Sequence, residues 1–283
     1  YHPERVLNTI DERRITLLSG SPTIFIGLMG YEGFAQADLS SLRLCFSGSS
    51  ALSAETLRRW EAATGCLICE GYGQSEAGPV LTYNPSEGVR KLGSVGIAVP
   101  DTRIDIVDVE TGQRSLAAGE LGEIRAAGAQ IMQGYRNLPE QTAEALRDGW
   151  LYTGDIGRLD EEGFLYIVDR KKEIIISGGE NISSLEIEKH IFAHQDVFEC
   201  AVVAAPDPKW GEVPAAIVVR KPNTTLTSEA LLAFLEDGRL GRFKLPRVIE
   251  IQDDPLPKTG TGKIRKNLLK ERYWVGKEKR VQG

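Results

Sequence analysis

Hydroxyls and carboxylates flanked by glycine occur at several points in this sequence, and three segments have the residue types to handle a nucleotide. Residues 71–78 read GYGQSEAG, with an aromatic ring at Tyr72, a hydroxyl at Ser75 and a carboxylate at Glu76. Such a set could stack on a base, bond a phosphate and hold Mg²⁺ through oxygen. Taken alone, it is explained better by a glycine turn with a solvated Glu76. Residues 152–155 read YTGD, and Asp169 and Arg170 follow. A carboxylate on a tight turn can accept both hydroxyls of a ribose, as an acidic residue does in dinucleotide folds. An aspartate that only caps a hairpin accounts for Asp155 more simply. Residues 256–265 read LPKTGTGKIR. This is not a Walker A loop, because Pro257 stands where the first glycine belongs and Ile264 replaces the Ser or Thr after the lysine. What remains is a glycine loop presenting Lys263, a cation suited to arrive where charge develops on a transferring group.

These segments need elements to hold them. Residues 42–46 read as a short strand running into the loop 47–50, and Ser53 caps a helix to about residue 65. Residues 67–70 form a second strand leading into GYGQSEAG. Strand, helix, strand predicts part of a parallel sheet, with loops at strand C-termini where ligands collect. From 103 to about 169 the pattern turns to β: Ile104, Ile106 and Val107 precede a turn at 110–113, and 151–159 pairs with 164–168 across 160–163. After the charged run at 169–173 the spacing predicts a strand at 174–176, a helix at 185–193, strands at 201–204 and 215–219, and a helix at 228–235. The expected fold is a multidomain α/β chain. A partial parallel α/β sheet occupies about 1–100, a small β-rich subdomain about 101–170, and a small C-terminal α/β domain 171–283.

Composition bounds the rest. With 283 residues, 41% hydrophobic and 26% charged, the chain can bury sizeable cores without staples. A formal net charge of -6 argues against a general nucleic-acid binder, which needs a dominant basic face. The charge is uneven, for residues 239–280 hold 13 Lys and Arg against 5 Asp and Glu. Either a solvated basic tail or a polyanion site explains that excess. Four cysteines, with Cys66 and Cys69 as a lone CxxC pair, do not make a disulfide framework, so reduced buried thiols of a cytoplasmic protein are expected. The most apolar stretch, 15–31, is shorter than the roughly 20 residues of a spanning helix and is expected in a core, with no transmembrane segment. Val6, Leu7, Ile10 and Ile15 follow Pro3 at near-helical spacing, so the chain begins inside an amphipathic helix and is expected to be cut from a longer protein.

GYGQSEAG, the YTGD at 152–155, the DRKK at 169–172, the SGGEN at 177–181 and residues 257–263 together resemble, in order and spacing, the adenylate-forming superfamily of acyl-CoA synthetases, peptide-synthetase adenylation domains and luciferases. The likeness extends over nearly the whole chain. It implies that Tyr72 stacks on adenine with Gly48, Ser49 and Ser50 lining the base, that Ser75 binds phosphate and that Glu76 holds Mg²⁺. It further implies that Asp155 and Arg170 contact the ribose, and that Lys172 is the hinge joining the C-terminal domain. Lys263 would bridge the substrate carboxylate and the α-phosphate, and Gly178, Gly179 and Trp210 would flank the pantetheine arm of CoA.

The implied partners are ATP (leaving AMP), Mg²⁺, CoA and a carboxylic acid. Residues 71–85 and 91–110 most resemble bacterial fatty-acid ligases, which makes a fatty acid the first choice. An aryl acid, a peptide-synthetase adenylation role and a non-catalytic binding fragment are the alternatives. The Ser/Thr/Gly-rich phosphate loop of the superfamily has no counterpart before Tyr72. The expectation is therefore a piece that lacks the N-terminal part of its own ATP site and is inactive by itself.

Overall fold

The computed structural model describes residues 1–283 except 51, 238–239, 260–262 and 276–283. Gly260, Thr261 and Gly262 of the lysine loop thus lie outside the described residues. The chain divides into two compact units, Tyr1–Ile167 and Val168–Gly283.

In the first unit, Pro3 opens helix α1 (Pro3–Arg13), whose Leu7 and Ile10 are buried on one face. Strand β1 (Leu17–Gly20) and helix α2 (Pro22–Met29) come from the apolar stretch that suggested a core segment. Strand β2 (Leu44–Ser47), helix α3 (Ala54–Thr64) and strand β3 (Ile68–Tyr72) follow. Ser53 caps α3 by accepting the Thr56 N–H, and Gly65 ends it in the left-handed region at φ 69°. β1, β2 and β3 are parallel, with Cys45 opposite both Leu18 and Ile68. Two short antiparallel strands, β4 (Thr82–Tyr83) and β5 (Ile97–Ala98), extend this sheet. The helices pack on it around fully buried Trp60, which meets Phe25 edge-on at 5.0 Å. Cys45, Cys66 and Cys69 are buried and unpaired, with the Cys45 and Cys66 sulfurs 3.5 Å apart.

The β-rich part comprises β6 (Arg103–Val107), β7 (Gly122–Ala127), helix α4 (Pro139–Ala145), β8 (Leu146–Arg147), β9 (Trp150–Leu159) and β10 (Leu165–Arg170). Its strands run in the order β10-β9-β7-β6, with β8 beside β9. Ile106, Ile124 and Leu165 fill one cluster of its core, and Ala126 and Leu151 another.

The second unit holds a hairpin of β11 (Ile175–Ser177) and β12 (Glu180–Ile182), helix α5 (Ser184–Phe192), the long strands β13 (Val197–Asp207) and β14 (Gly211–Arg220), helix α6 (Ser228–Glu236), strand β15 (Val248–Gln252) and helix α7 (Lys266–Trp274). β13 and β14 are antiparallel, and β15 adds in parallel to β14. Val202, Ala204, Ala216 and Val218 face α5 and α6 in one core, while Ala201, Val203, Ala215 and Ile217 face a second core that includes Leu256 and Leu269. A sheet covered on both faces needs apolar residues at every position, hence the unbroken run in β13. Sequence reasoning missed β12, β15 and α7. The basic excess at 239–280 left a solvated tail and a polyanion site open, and a solvated tail does not describe α7, whose Leu269 is fully buried in the second core. Among the described residues, no helix is long and apolar enough to cross a membrane. Cys200 is buried and unpaired, like the other three cysteines.

Candidate adenylate site

The parallel strands of the first unit deliver their C-terminal ends to one edge. β2 ends at Ser47, and the loop after it carries Gly48, Ser49 with φ 72°, and Ser50. β3 ends at Tyr72, and a 3₁₀ turn, Ser75–Ala77, follows. A side chain on Gly48 would touch the Gly71 carbonyl at 3.5 Å, so the two strand ends lie side by side. Ser75 is exposed, and Glu76 is half-buried.

Tyr72 and Asp155, far apart in sequence, meet here: the phenol donates to Asp155 Oδ2 at 2.6 Å. Asp155 is 4% exposed. Its setting corrects the expectation of a tight turn, since it lies inside β9. Glu123 pairs with Ile156 and Arg125 with Tyr152, so β9 has extra residues opposite Ile124. Gly154, at φ 70°, absorbs them as a bulge. Thr153 clamps the irregularity by donating to the Ile124 carbonyl at 2.7 Å and accepting the Asp155 N–H at 3.2 Å. A bulge re-aims a strand side chain, and here it presents the carboxylate to Tyr72.

Two further residues shape this edge. Tyr135 donates to Glu76 Oε1 at 2.8 Å, and burial together with that carboxylate raises its phenol above the ordinary value. Glu70, buried on β3, accepts the Leu52 N–H at 2.9 Å and so ties the loop after β2 to β3. Neither belongs to a recognisable spacing. Tyr135 lies almost 60 residues from its partner, and Glu70 reads as one polar residue in a short strand.

The other candidates belong to the second unit. Arg170 ends β10 and Lys172 follows it, both exposed. Gly178 and Gly179, with φ 59° and 88°, are the two central residues between paired Ser177 and Glu180. Two positive φ values in a two-residue loop make a type I′ hairpin turn. The turn by itself therefore accounts for both glycines. Gly178 also donates its N–H to the Trp210 carbonyl at 2.8 Å, and a side chain on it would press the indole at 2.7 Å. Around Gly179 there is open space. Trp210 carries two cations on its ring, Lys209 at 4.7 Å and Arg247 at 5.5 Å. Lys263 is exposed in a narrow loop whose ends bond to each other. The fold thus gathers Gly48, Ser49, Ser50, Tyr72, Ser75, Glu76 and Asp155 in one unit, and Arg170, Lys172, Gly178, Gly179, Trp210 and Lys263 in the other.

Among the described residues there is no cluster of three or more His, Cys, Asp or Glu side chains able to hold a metal. Glu76 offers a carboxylate in the turn that follows β3. That fits Mg²⁺, which is commonly held by one or two carboxylates together with substrate phosphates.

The model for the AMP-binding enzyme family matches residues 1–136, and that for the AMP-binding enzyme C-terminal domain matches 186–263. A long-chain-fatty-acid–CoA ligase of Bacillus subtilis (strain 168) is 46% identical over 272 residues, which are 96% of this chain and 48% of that protein. A feruloyl-CoA synthase of an Amycolatopsis species is 38% identical over 96% of this chain and 55% of its own length. Among solved structures, ATP-bound MatB from Rhodopseudomonas palustris superposes with a TM-score of 0.89 at 37% identity, over 96% of this chain and 53% of that one. The o-succinylbenzoate CoA synthetase of Bacillus subtilis, with its acyl-adenylate intermediate, gives 0.82 at 30% identity, over 95% and 54%. The chain spans about half the length of the relatives it matches. From its two family matches and these relatives, the chain belongs to the AMP-binding enzymes, on the acyl-CoA synthetase branch of the adenylate-forming superfamily, and corresponds to their C-terminal portion.

Proposed function

We propose that this chain supplies the C-terminal half of an ATP-dependent acyl-CoA synthetase working in the cytoplasm. A carboxylate attacks the α-phosphorus of ATP, releasing pyrophosphate and forming an acyl-adenylate. The CoA thiol then attacks the acyl carbon, releasing AMP and forming the thioester. The observation that carries this reading is the Tyr72–Asp155 pair, in which an aromatic residue at the end of a parallel strand donates its phenol hydrogen bond to a buried carboxylate of β9. In it, Tyr72 stacks on adenine, Gly48, Ser49 and Ser50 line the base, and Asp155 and Arg170 take the ribose hydroxyls. Ser75 bonds phosphate. Glu76 would hold Mg²⁺, whose charge offsets that of the phosphates.

An anionic carboxylate meeting an anionic phosphate needs a cation between them, and Lys263 fills that role. The thioester step does not need it. Gly178, Gly179 and Trp210 would flank the pantetheine arm in that step, with Lys172 as the pivot between the two arrangements. The fatty-acid choice draws support from the 46% identical Bacillus ligase. The feruloyl-CoA synthase keeps an aryl acid as the second reading.

The test joins this chain to the half its relatives carry and measures carboxylate-dependent exchange of pyrophosphate into ATP, then thioester release. Long-chain fatty acids should support both steps better than ferulate. Lys263→Ala should slow acyl-adenylate formation by about 100-fold or more, and thioester formation from preformed acyl-adenylate by less than about threefold. Exchange with no carboxylate would overturn the synthetase reading. Equal losses in both steps would overturn the role of Lys263.

A further inference from the structure

The lysine loop of the second unit is fastened at both roots by carboxylates that no sequence motif marks. At its incoming end, Glu199 of β13, 7% exposed, accepts the Leu256 N–H at 3.0 Å through Oε1 and pairs with Lys258 Nζ at 2.5 Å through Oε2. At its outgoing end, Lys266 opens α7 three residues after Lys263. Its ammonium reaches Ser184 Oγ at 2.9 Å, Glu188 Oε1 at 2.8 Å and Glu173 Oε2 at 3.1 Å. Three N–H donors thus meet three acceptors. Residues 257–259 and 263–265 are laced to each other. Lys258 bridges Ile264, the Thr259 N–H bonds the Lys263 carbonyl at 2.8 Å, and the Arg265 N–H bonds the Pro257 carbonyl at 2.8 Å.

The Lys266 contacts continue inward. Glu188 Oε1 also accepts the Val202 N–H of β13 at 2.6 Å, and Ser184 donates to Asp169 Oδ2 at 3.0 Å. Asp169 is 3% exposed and takes the Ser183 hydroxyl, the Leu185 N–H and the Arg170 N–H as well. The root of the loop is therefore continuous, through Lys266 and Ser184, with Asp169 and Glu173, which bracket Lys172. Burial works against the Lys266 charge, but Glu188, Glu173 and Asp169 outweigh it and hold the ammonium up at about 12.

We propose that Lys266 and Glu199 are positioning residues for Lys263, clamping the two roots of its loop so that loop, α5 and the segment around Lys172 move as one piece. Roots left unfastened would present Lys263 over a range of positions, and a misplacement of about 1 Å at a reacting centre costs on the order of 100-fold in rate. The clamp removes that freedom. The inference rests on Lys263 acting in adenylate formation.

Two measurements test it and separate its failure from failure of that reading. Hydrogen exchange on this chain needs no activity. Lys266→Met and the isosteric Glu199→Gln should each speed exchange at the Thr259 and Arg265 amides by about tenfold or more, with β13 and β14 still protected. Unchanged loop exchange, or equal loss across the whole unit, would overturn the clamp. In the joined enzyme, Lys266→Met should lower kcat for adenylate formation by about tenfold or more at a nearly unchanged KM for ATP. Combined with Lys263→Ala it should add almost nothing, because it acts only through that lysine. A full multiplicative loss in the double variant sinks the positioning role. Should Lys263→Ala itself leave adenylate formation intact while loop exchange responds, the clamp stands as structure, the positioning role fails, and the reading of Lys263 is what was wrong.

Discussion

Glu70 is a buried carboxylate with one hydrogen bond, from the Leu52 N–H. The cations nearby are committed elsewhere: Arg90 to Glu61 at 2.6 Å, and Lys91 to Asp160 at 2.7 Å and Glu162 at 2.8 Å. Burial therefore pushes Glu70 up to about 7, against the weaker pull of the Leu52 N–H. Because the folded chain holds this proton more tightly than the unfolded chain, the stabilisation is fully present below the ordinary value near 4.5 and lost as pH rises through 7. The difference amounts to about 3 kcal/mol at most. Glu70→Gln should accordingly raise the unfolding free energy at pH 8 and change it far less at pH 5, read by denaturant titration at both values. Equal shifts at the two pH values would mean that Glu70 does not titrate in this range. Tyr72, Ser75, Glu76, Asp155 and Lys263 could be named from the sequence only because five segments stand in a known order. Glu70, Tyr135, Glu199 and Lys266 could not, since each gains its meaning from a partner across the fold.

The hairpin of β11 and β12 shows how two accounts of a glycine pair can be told apart. The turn needs positive φ at Gly178 and Gly179, and Gly178 has the Trp210 ring against it as well. Gly178→Ala should thus destabilise the second unit by about 1–3 kcal/mol, from the strained φ and the crowded indole together. Gly179 has open space, and asparagine tolerates its conformation, so Gly179→Asn should melt close to the unchanged protein. If the CoA arm passes this turn, Gly179→Asn should still form acyl-adenylate yet release thioester more slowly, by about tenfold in a single-turnover assay. Normal thioester release by this variant would remove Gly179 from the CoA path. Other elements differed in how openly they showed themselves. The Ser53 cap and the Gly65 stop made α3 legible, as did the apolar runs of β13 and β14. β12 has only three residues, and α7 buries only Leu269 and is otherwise rich in charge, so no period announced either one. The bulge at Gly154 was hidden too, because a glycine before an aspartate reads first as a turn.

Each unit closes its own apolar core, around Trp60 in the first and on both faces of β13 and β14 in the second. The alternation of helix and strand made the α/β class readable, while the division at Ile167 and Val168 falls inside β10, where no glycine or proline punctuates the chain. The basic excess near the C-terminus now has a partial account, since Lys258 and Lys266 are paired with buried carboxylates. The four cysteines acquire a use from the same division. Burial raises all four thiols above their ordinary value, so few thiolates exist for an alkylating reagent to meet in the folded chain. Cys45, Cys66 and Cys69 lie in one unit and Cys200 in the other. Under a pulse of alkylating reagent, intact protein should gain mass in a step of three labels and a separate step of one, each at the rate at which its unit opens. Four labels arriving together would mean that the units open only as one body. The silent thiols thus serve as two clocks, and mass spectrometry can read both from one sample.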